Sequence, residues 1–267
     1  MNNRIDRKFR ELGLARKKAF IAYITAGDPS LAFTARLVPE LEKAGVDILE
    51  LGIPFSDPLA DGPTIQAASQ RALKAGATLS KIFRMAGTVR KKTGMPIVFM
   101  TYYNPVLRHG VKRFFKDCAK FGVDGVIVPD LPCEEAAGLV KSAKKSGVAS
   151  IFLAAPTSTT ARLKRIAATS TGFIYYVSLT GVTGARRDLP REIGAKTRSI
   201  KRMTRTPVSV GFGVSTPLQA KKVASLADGV IVGSAIVKVI AGNIRKKDAV
   251  SKVSRFVKTI AKAVHSA

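Results

Sequence analysis

Three carboxylates lie close together in a proline-rich part of the sequence. Glu50 ends a short apolar run, and Asp57 and Asp61 follow in a segment stiffened by three prolines. A carboxylate at a rigid strand end, facing carboxylates on a loop, is suited to proton transfer. Each also has a structural alternative: Glu50 as a buried partner of a lysine, Asp57 in an Asx turn, and Asp61 as a helix cap. We interpret Glu50 as the leading acid–base candidate and leave both aspartates open.

Two glycine-rich segments, 211–215 and 233–235, follow apolar runs late in the chain. Glycine lets backbone N–H groups approach phosphate oxygens closely, and the hydroxyl of Ser234 adds a donor. The alternative is a pair of tight turns that need positive φ. We favour a phosphate site. A third glycine-containing segment, 180–187, surrounds Thr183 and suits either a lid over a bound substrate or an ordinary loop.

Short apolar, β-branched runs alternate with amphipathic patterns along the whole chain. The eight predicted strands are 19–25, 47–51, 96–100, 125–128, 149–153, 173–177, 208–210 and 229–232. The predicted helices between and after them are 31–44, 65–75, 79–92, 111–121, 134–146, 160–169, 193–203, 217–225 and 249–264. Capping residues precede several of these helices, in the segments 28–30, 159–160 and 215–217.

This alternation predicts βαβ units and a parallel sheet, and eight units predict an α/β fold of the (β/α)8 TIM-barrel type. An extra N-terminal helix, about residues 4–14, is expected to cap the bottom of the barrel. Residues 1–267 carry no linker-like stretch and are predicted to form a single TIM-barrel domain. The alternative is an open doubly wound sheet, although the first βα turn lacks a G-x-G-x-x-G sequence. In a barrel, Glu50, the two aspartates and the phosphate loops gather at the carboxyl ends of the strands.

Composition narrows the class of protein. The chain has 267 residues, of which 46% are hydrophobic, and it contains no apolar run long enough for a membrane span. Its start lacks the apolar core of a signal peptide, so we expect a soluble cytoplasmic protein. Cys118 and Cys133 are too isolated for a disulfide framework or a zinc site, and His109 and His265 are interpreted as surface residues. No metal site is predicted.

The net charge is +27, from 45 basic and 18 acidic residues. Such a balance often indicates nucleic acid or a membrane surface. The basic residues are nevertheless scattered, tryptophan is absent, and no cluster is interleaved with stacking aromatics. We therefore favour a lysine-rich solvated exterior, with neither a nucleic acid nor a membrane as partner.

The segment from Glu50 to Pro63, Glu-Leu-Gly-Ile-Pro-Phe-Ser-Asp-Pro-Leu-Ala-Asp-Gly-Pro, closely resembles the signature of the tryptophan synthase alpha chain family. The resemblance continues in register over essentially the whole chain, in the segments 102–105, 128–132, 173–178, 181–184, 211–214 and 233–237. It implies a lyase of tryptophan biosynthesis that cleaves indole-3-glycerol phosphate to indole and glyceraldehyde 3-phosphate by a retro-aldol step.

The resemblance also implies roles for individual residues. Glu50 would protonate the ring carbon that bears the glycerol chain and accept the proton of the side-chain hydroxyl. Asp61 would hydrogen-bond the ring N–H and stabilise positive charge there. The implied substrate-binding residues are Tyr175, which helps position Glu50, Thr183 on the lid, Phe212 against the indole, and Gly184, Gly213, Gly233 and Ser234 around the phosphate.

A beta-chain partner follows from the same resemblance. It would bind pyridoxal phosphate and join indole, received through a tunnel, to serine within an α2β2 heterotetramer. The alpha chain itself would carry no cofactor. Pro54, Asp57, Asn104 and Pro105 are expected to face this partner.

Two other functions remain as alternatives. One is another phosphate-binding barrel, such as an isomerase of the same pathway, against which the carboxylates of segment 50–61 argue. The other is a basic nucleic-acid-binding or scaffold protein without activity, against which the intact Glu50 and Asp61 pair argues. The charge of +27 is more basic than we expect of the family. It points either to an unusually acidic beta chain or to an adaptation of the host proteome.

Overall fold

A computed structural model of the chain describes residues 3–178, 189–211 and 213–267. The strands within these ranges are β1 (Ala19–Thr25), β2 (Ile48–Gly52), β3 (Ile97–Met100), β4 (Gly125–Ile127), β5 (Ala149–Ile151), β6 (Leu153–Ala154), β7 (Ile174–Val177), β8 (Val208–Gly211) and β9 (Gly229–Val232). The helices in the same ranges are α1 (Arg4–Leu14), α2 (Leu31–Lys43), α3 (Pro63–Lys74), α4 (Leu79–Arg90), α5 (Tyr103–His109), α6 (Val111–Phe121), α7 (Ala137–Lys145), α8 (Thr160–Thr169), α9 (Leu189–Lys201), α10 (Pro217–Ala224), α11 (Ser234–Ala241) and α12 (Ala249–His265).

The strands form one parallel sheet in the order β5-β4-β3-β2-β1-β9-β8-β7-β6. Only Phe152 separates β5, which pairs with β4, from β6, which pairs with β7. The Tyr175 N–H donates to the Phe152 carbonyl at 3.0 Å, so backbone pairing continues across the interruption. The sheet therefore closes on itself through residues 149–154. The barrel prediction is confirmed, and the open doubly wound alternative is wrong.

Local capping chemistry starts several helices where the sequence predicts. Ser30 accepts from the Phe33 N–H at the start of α2, Thr159 from the Arg162 N–H at α8, and Thr216 from the Gln219 N–H at α10. Each bond satisfies an N–H group that has no partner within its own helix. Two helices were not predicted: α5, and α11, which directly follows the last strand.

The N-terminal helix plugs the bottom of the barrel. Ile5 on α1 is fully buried and joins the cluster of inward-facing strand residues that includes Ile48 and Ile127. A Cβ added at Gly125 would lie 2.9 Å from Ile5 Cδ1, so the glycine makes room for the plug. The predicted capping role of residues 4–14 is thereby confirmed.

A buried carboxylate fastens this plug to the strands. Asp124 is 4% exposed and lies just before β4. It accepts from Arg4 Nη1 at 2.9 Å, from Arg90 Nη2 at 3.0 Å and from the Ile97 N–H at 2.9 Å. One side chain thus joins α1, α4 and the start of β3.

We expect Asp124→Ala to lower the free energy of unfolding by about 3 kcal/mol, because removing one partner leaves a buried charge and a buried N–H unpaired. Urea unfolding measures this change. The matched control is Asp248→Ala, which breaks an exposed pair with Lys252 on α12. It should cost much less, because the pair is exposed to solvent. Equal losses in the two variants would contradict the role given to Asp124.

None of the helices in the described ranges combines the length and the apolar character needed to cross a membrane.

Candidate active site

Glu50 lies inside the barrel near the carboxyl ends of the strands. It is the third residue of β2, which extends one residue further than predicted, to Gly52. Tyr23 on β1 and Val98 on β3 are its register partners. The side chain is 1% exposed. The strand pairing therefore places a carboxyl group in a closed, largely apolar interior.

The Glu50 carboxyl is poised to hold a proton at neutral pH. Its Oε2 atom has no hydrogen-bond partner among the described residues, and no described lysine or arginine forms an ion pair with it. The interpretation as a lysine-paired structural carboxylate is therefore not supported. Burial, and secondly the charge of Asp61, raise the pKa of Glu50 to about 8. A carboxyl with this pKa can both donate and accept a proton near pH 7.

Asp61 is brought to the same pocket by the β2–α3 loop, which comprises residues 53–62. It is half-buried, and burial raises its pKa to about 6, while a hydrogen bond from Tyr102 opposes that rise. The helix-cap alternative is wrong, because Gly62 is the N-cap of α3 and no side chain caps this helix. The Asp61 side chain is thus available for chemistry at the pocket.

Three tyrosines surround the two carboxylates. Tyr23, Tyr102 and Tyr175 are buried, and burial raises the pKa of each phenol above its ordinary value. Of these three, only Tyr175 was predicted from the sequence to be a site residue. Tyr23 could have been found from strand register, because it pairs with Glu50. Tyr102 follows β3, and its contact with Asp61 depends on tertiary structure.

Glycines at two strand ends make room for these phenols. A Cβ at Gly52 would lie 2.2 Å from the Tyr23 hydroxyl oxygen, and one at Gly211 would lie 2.5 Å from that of Tyr175. Gly211 belongs to the predicted phosphate segment 211–215. In the structure its missing side chain accommodates a tyrosine of the pocket.

Two of the other predicted phosphate residues, Gly233 and Ser234, lie at the start of α11, and a third, Gly213, follows β8. Gly213 has φ +77°, a conformation that favours glycine. Gly233 is the N-cap of α11 and Ser234 is its first residue, and no side-chain hydrogen bond caps the helix. Uncapped N–H groups at a helix N-terminus form an anion-binding site.

Three predicted substrate-binding residues, Thr183, Gly184 and Phe212, lie outside the described residues. The predicted partner-facing residues differ in exposure: Asp57 and Asn104 are exposed, Pro105 is partly exposed, and Pro54 is buried against the chain itself.

Two large apolar side chains are exposed on the same segments, Leu59 at 93% and Leu107 at 57%. They add apolar area to the surface on which the predicted partner-facing residues Asp57 and Asn104 are exposed.

The histidines have structural partners. His109 and His265 were expected at the surface, but both are half-buried, because each imidazole pairs with an aspartate. The distances are 2.7 Å from His109 Nε2 to Asp117 and 2.8 Å from His265 Nε2 to Asp47. Within the described part of the chain, no group of three histidine, cysteine, aspartate or glutamate side chains could hold a metal ion.

Comparisons with known proteins agree on one family. The family model described as "Tryptophan synthase alpha chain" matches residues 9–265. The tryptophan synthase alpha chain of Geotalea daltonii is 53% identical over 235 residues, which are 88% of this chain and 89% of the relative. That of Thermoanaerobacter sp. is 46% identical over 258 residues, covering 97% of this chain and 98% of the relative.

Solved structures agree as well. The crystal structure of tryptophan synthase subunit alpha from Legionella pneumophila superposes with a TM-score of 0.93 at 38% identity, covering 100% of both chains. A tryptophan synthase structure from M. tuberculosis gives a TM-score of 0.88 at 33% identity over 99% of this chain and 100% of that chain. The chain with Glu50 and Asp61 in its barrel therefore belongs to the tryptophan synthase alpha chain family.

Proposed function

We propose that Glu50 is the proton-transfer group and Asp61 the charge-stabilising group of the reaction that this family catalyses. The chain is an alpha subunit that cleaves indole-3-glycerol phosphate to indole and glyceraldehyde 3-phosphate, and the indole passes to the beta subunit for L-tryptophan synthesis. The observation that supports the assignment of Glu50 most directly is its buried carboxyl, with an unpartnered oxygen and a pKa raised to about 8.

Glu50 would act twice on one substrate molecule. In its protonated form it donates a proton to the indole ring carbon that bears the glycerol chain, which turns the ring into an electron acceptor. As the carbon–carbon bond breaks, the resulting carboxylate accepts the proton of the side-chain hydroxyl, so that an aldehyde leaves and Glu50 is protonated again. The burial that raises its pKa keeps the donor form populated at neutral pH.

Asp61 would stabilise the intermediate between these steps. Protonation of the ring carbon places positive charge on the ring nitrogen, and an ionised Asp61 hydrogen-bonded to that N–H lowers its energy. Because the charge develops during the reaction, the interaction strengthens toward the transition state. A pKa of about 6 leaves Asp61 mostly ionised at pH 7, while Glu50 is mostly protonated.

The substrate would be held at its other end by phosphate. Gly213, Gly233, Ser234 and the uncapped N-terminus of α11 offer N–H and hydroxyl donors to it. The Tyr175 hydroxyl lies beside Gly211 and its phenol faces Glu50, so it would help to position Glu50 and the substrate. Three further roles are proposed on the resemblance alone. Thr183 would belong to the lid, Gly184 would contact the phosphate, and Phe212 would form a wall of the indole pocket.

The beta chain pairs with this subunit and binds the pyridoxal phosphate of the complete enzyme, so the alpha reaction needs no cofactor. We place the contact surface on the β2–α3 loop and α5, with Asp57, Asn104 and Pro105, and we assign to Pro54, which is buried at the start of the loop, a supporting position. We further propose that residues 1–267 act as one domain and that the enzyme is cytoplasmic.

The two pKa shifts predict a bell-shaped pH dependence. We expect kcat/KM for indole release to rise as pH passes about 6, where Asp61 loses its proton, and to fall as pH passes about 8, where Glu50 loses its own. The two limbs belong to the coupled pair, because the charge of Asp61 contributes to the shift of Glu50. Steady-state assays from pH 5 to about 9.5 measure them.

The matching functional test is indole release by the purified chain, with and without a beta chain. We expect release that the beta chain increases. A folded chain that releases no indole under either condition would refute the proposed function, and a rate independent of pH would refute the assignment of the two carboxylates.

A further inference from the structure

We infer that Tyr102 is a positioning residue for the reaction: its hydroxyl group fixes the β2–α3 loop and orients the Asp61 carboxylate over the pocket. The inference rests on the proposed role of Asp61 and adds to it a residue that holds this carboxylate in place.

Tyr102 contacts the loop through its hydroxyl group, which can both accept and donate a hydrogen bond. Tyr102 follows β3 and is 7% exposed. Its oxygen accepts a hydrogen bond from the Ala60 N–H at 2.9 Å. The Asp61 side chain lies close enough to the phenol for a hydrogen bond from Tyr102 to lower the pKa of Asp61. The phenol therefore binds the backbone of Ala60 and faces the side chain of the next residue of the loop.

The ring of Tyr102 holds the beginning of the same loop. It stacks on Phe55 with ring centroids 5.2 Å apart and an interplanar angle of 28°. Between these contacts, Ser56, Asp57 and Leu59 are exposed. Tyr102 thus contacts the loop on both sides of an exposed centre, and the stack and the hydrogen bonds restrain different parts of it.

The backbone next to Tyr102 is fixed by a hydrogen bond to the segment that follows β4, the next strand of the barrel. The N–H of Tyr103, the following residue, donates to the Asp130 carboxylate at 2.9 Å and 3.1 Å. Asp130 comes from the segment after β4. No side chain of α5 caps its N-terminus, so this carboxylate from another segment serves that purpose. The position of Tyr102 is therefore set by the barrel rather than by the loop that it restrains.

The electrostatic surroundings make the hydroxyl important for Asp61. The titratable groups that face this carboxylate are Glu50 on β2, Tyr23 on β1, Tyr175 on β7 and Tyr102 itself. No lysine or arginine of the described part forms an ion pair with it. The hydrogen bond from Tyr102 lowers the pKa of Asp61, whereas burial raises it. Losing the hydroxyl must therefore move the pKa upward.

Tyr102→Phe tests the inference, because it keeps the ring and its stack on Phe55 and removes only the hydroxyl. We expect the acidic limb of the kcat/KM profile to move to higher pH by about one unit, as for the loss of one hydrogen bond to a charged group. At the pH optimum we expect kcat to fall about tenfold while KM changes less than about twofold, because the charge that Asp61 stabilises develops after binding. Hydrogen exchange of the Ala60 N–H should accelerate, since its acceptor is gone.

Tyr103→Phe is the matched control. It removes a hydroxyl from the adjacent residue, whose side chain makes no hydrogen bond within the described structure, and it leaves the backbone bond to Asp130 intact. It should leave the acidic limb in place. An unmoved limb in Tyr102→Phe, or equal shifts in both variants, would overturn the inference.

Asp61→Asn separates this inference from the proposed function. If it removes the acidic limb while Tyr102→Phe leaves the limb unmoved, Asp61 keeps its proposed role and only the inference about Tyr102 fails. If the limb persists in Asp61→Asn, the proposed role of Asp61 fails.

Discussion

Replacing Glu50 with glutamine is expected to lower kcat for indole release by about 10²–10⁴-fold, the usual contribution of general acid–base catalysis. The amide matches the carboxyl in shape but neither donates a proton to the ring carbon nor accepts one from the hydroxyl. Binding groups at the phosphate end are untouched, so KM should change little. Single-turnover indole release measures the chemical step directly.

The same substitution should make the protein more stable at neutral pH. A carboxyl with pKa about 8 in the folded chain ionises at its ordinary, lower pKa when the chain unfolds. Its contribution to stability is therefore fully present below the unfolded pKa and is lost as pH rises toward 8. Glutamine removes this loss, and we expect a gain of roughly 1–3 kcal/mol in unfolding free energy at pH 7. Urea unfolding at pH 4 and pH 7 measures this gain: the unfolding free energy of Glu50→Gln should exceed that of the wild type by more at pH 7 than at pH 4.

Glu11→Gln serves as the control for both effects. Glu11 lies on α1, at the opposite end of the barrel, and is largely exposed. It should leave kcat and the pH dependence of stability unchanged. Full activity in Glu50→Gln would remove Glu50 from the mechanism.

Asp61→Asn is expected to lower kcat by about 10²–10³-fold, the cost of losing one preorganised group that stabilises developing charge. Asparagine can still accept a hydrogen bond from the ring N–H, but it carries no charge to oppose the positive one. The rise of activity through pH 6 should also disappear, since the group that titrates there is gone. Steady-state assays over the same pH range measure both changes.

Asp57→Asn is the matched control from the same loop. Asp57 is exposed and its side chain bonds to the neighbouring Ser56 hydroxyl. In the isolated chain it should leave kcat unchanged, whereas the increase caused by the beta chain should weaken if Asp57 faces that partner. A loss of activity as large as that of Asp61→Asn would contradict the division of roles between the two aspartates.

The barrel was predictable because its signals are local. Continuous apolar runs such as Gly229–Val232 indicate strands buried on both faces, and Ser30, Thr159 and Thr216 mark helix starts. Helix α5 was missed because it is short, contains Pro105 and takes its N-terminal partner, Asp130, from a segment 27 residues away. Helix α11 was missed because its apolar sequence directly follows a strand of the same composition.

Some residues of the candidate site could likewise be predicted from local sequence, whereas others depend on tertiary contacts. The unusual spacing of Glu50 and Asp61 is visible in the sequence, and so is the position of Gly233 after the last strand. The tyrosines were less accessible to sequence reasoning. Tyr23 reads as one more apolar position of a fully buried strand, and Tyr102 reaches Asp61 only because β2 and β3 are neighbours in the sheet. The need for glycine at positions 52 and 211 could not be predicted either, because it arises only from the packing of the tyrosine side chains against them.

The docking of α1 has a consequence for how the chain is made. This helix is synthesised first, but it docks on groups that come much later: Arg4 pairs with Asp124, and its apolar side rests on Gly172 and Phe173. At about 5–20 residues per second, the ribosome needs roughly 10–30 s to add them. Throughout that interval a nascent chain carries an amphipathic helix with no partner. Chains that stop before residue 173 should therefore be preferred clients of ribosome-associated chaperones, whereas a chain that extends through β9 can bury Ile5 against Ile231 and the other inward-facing strand residues.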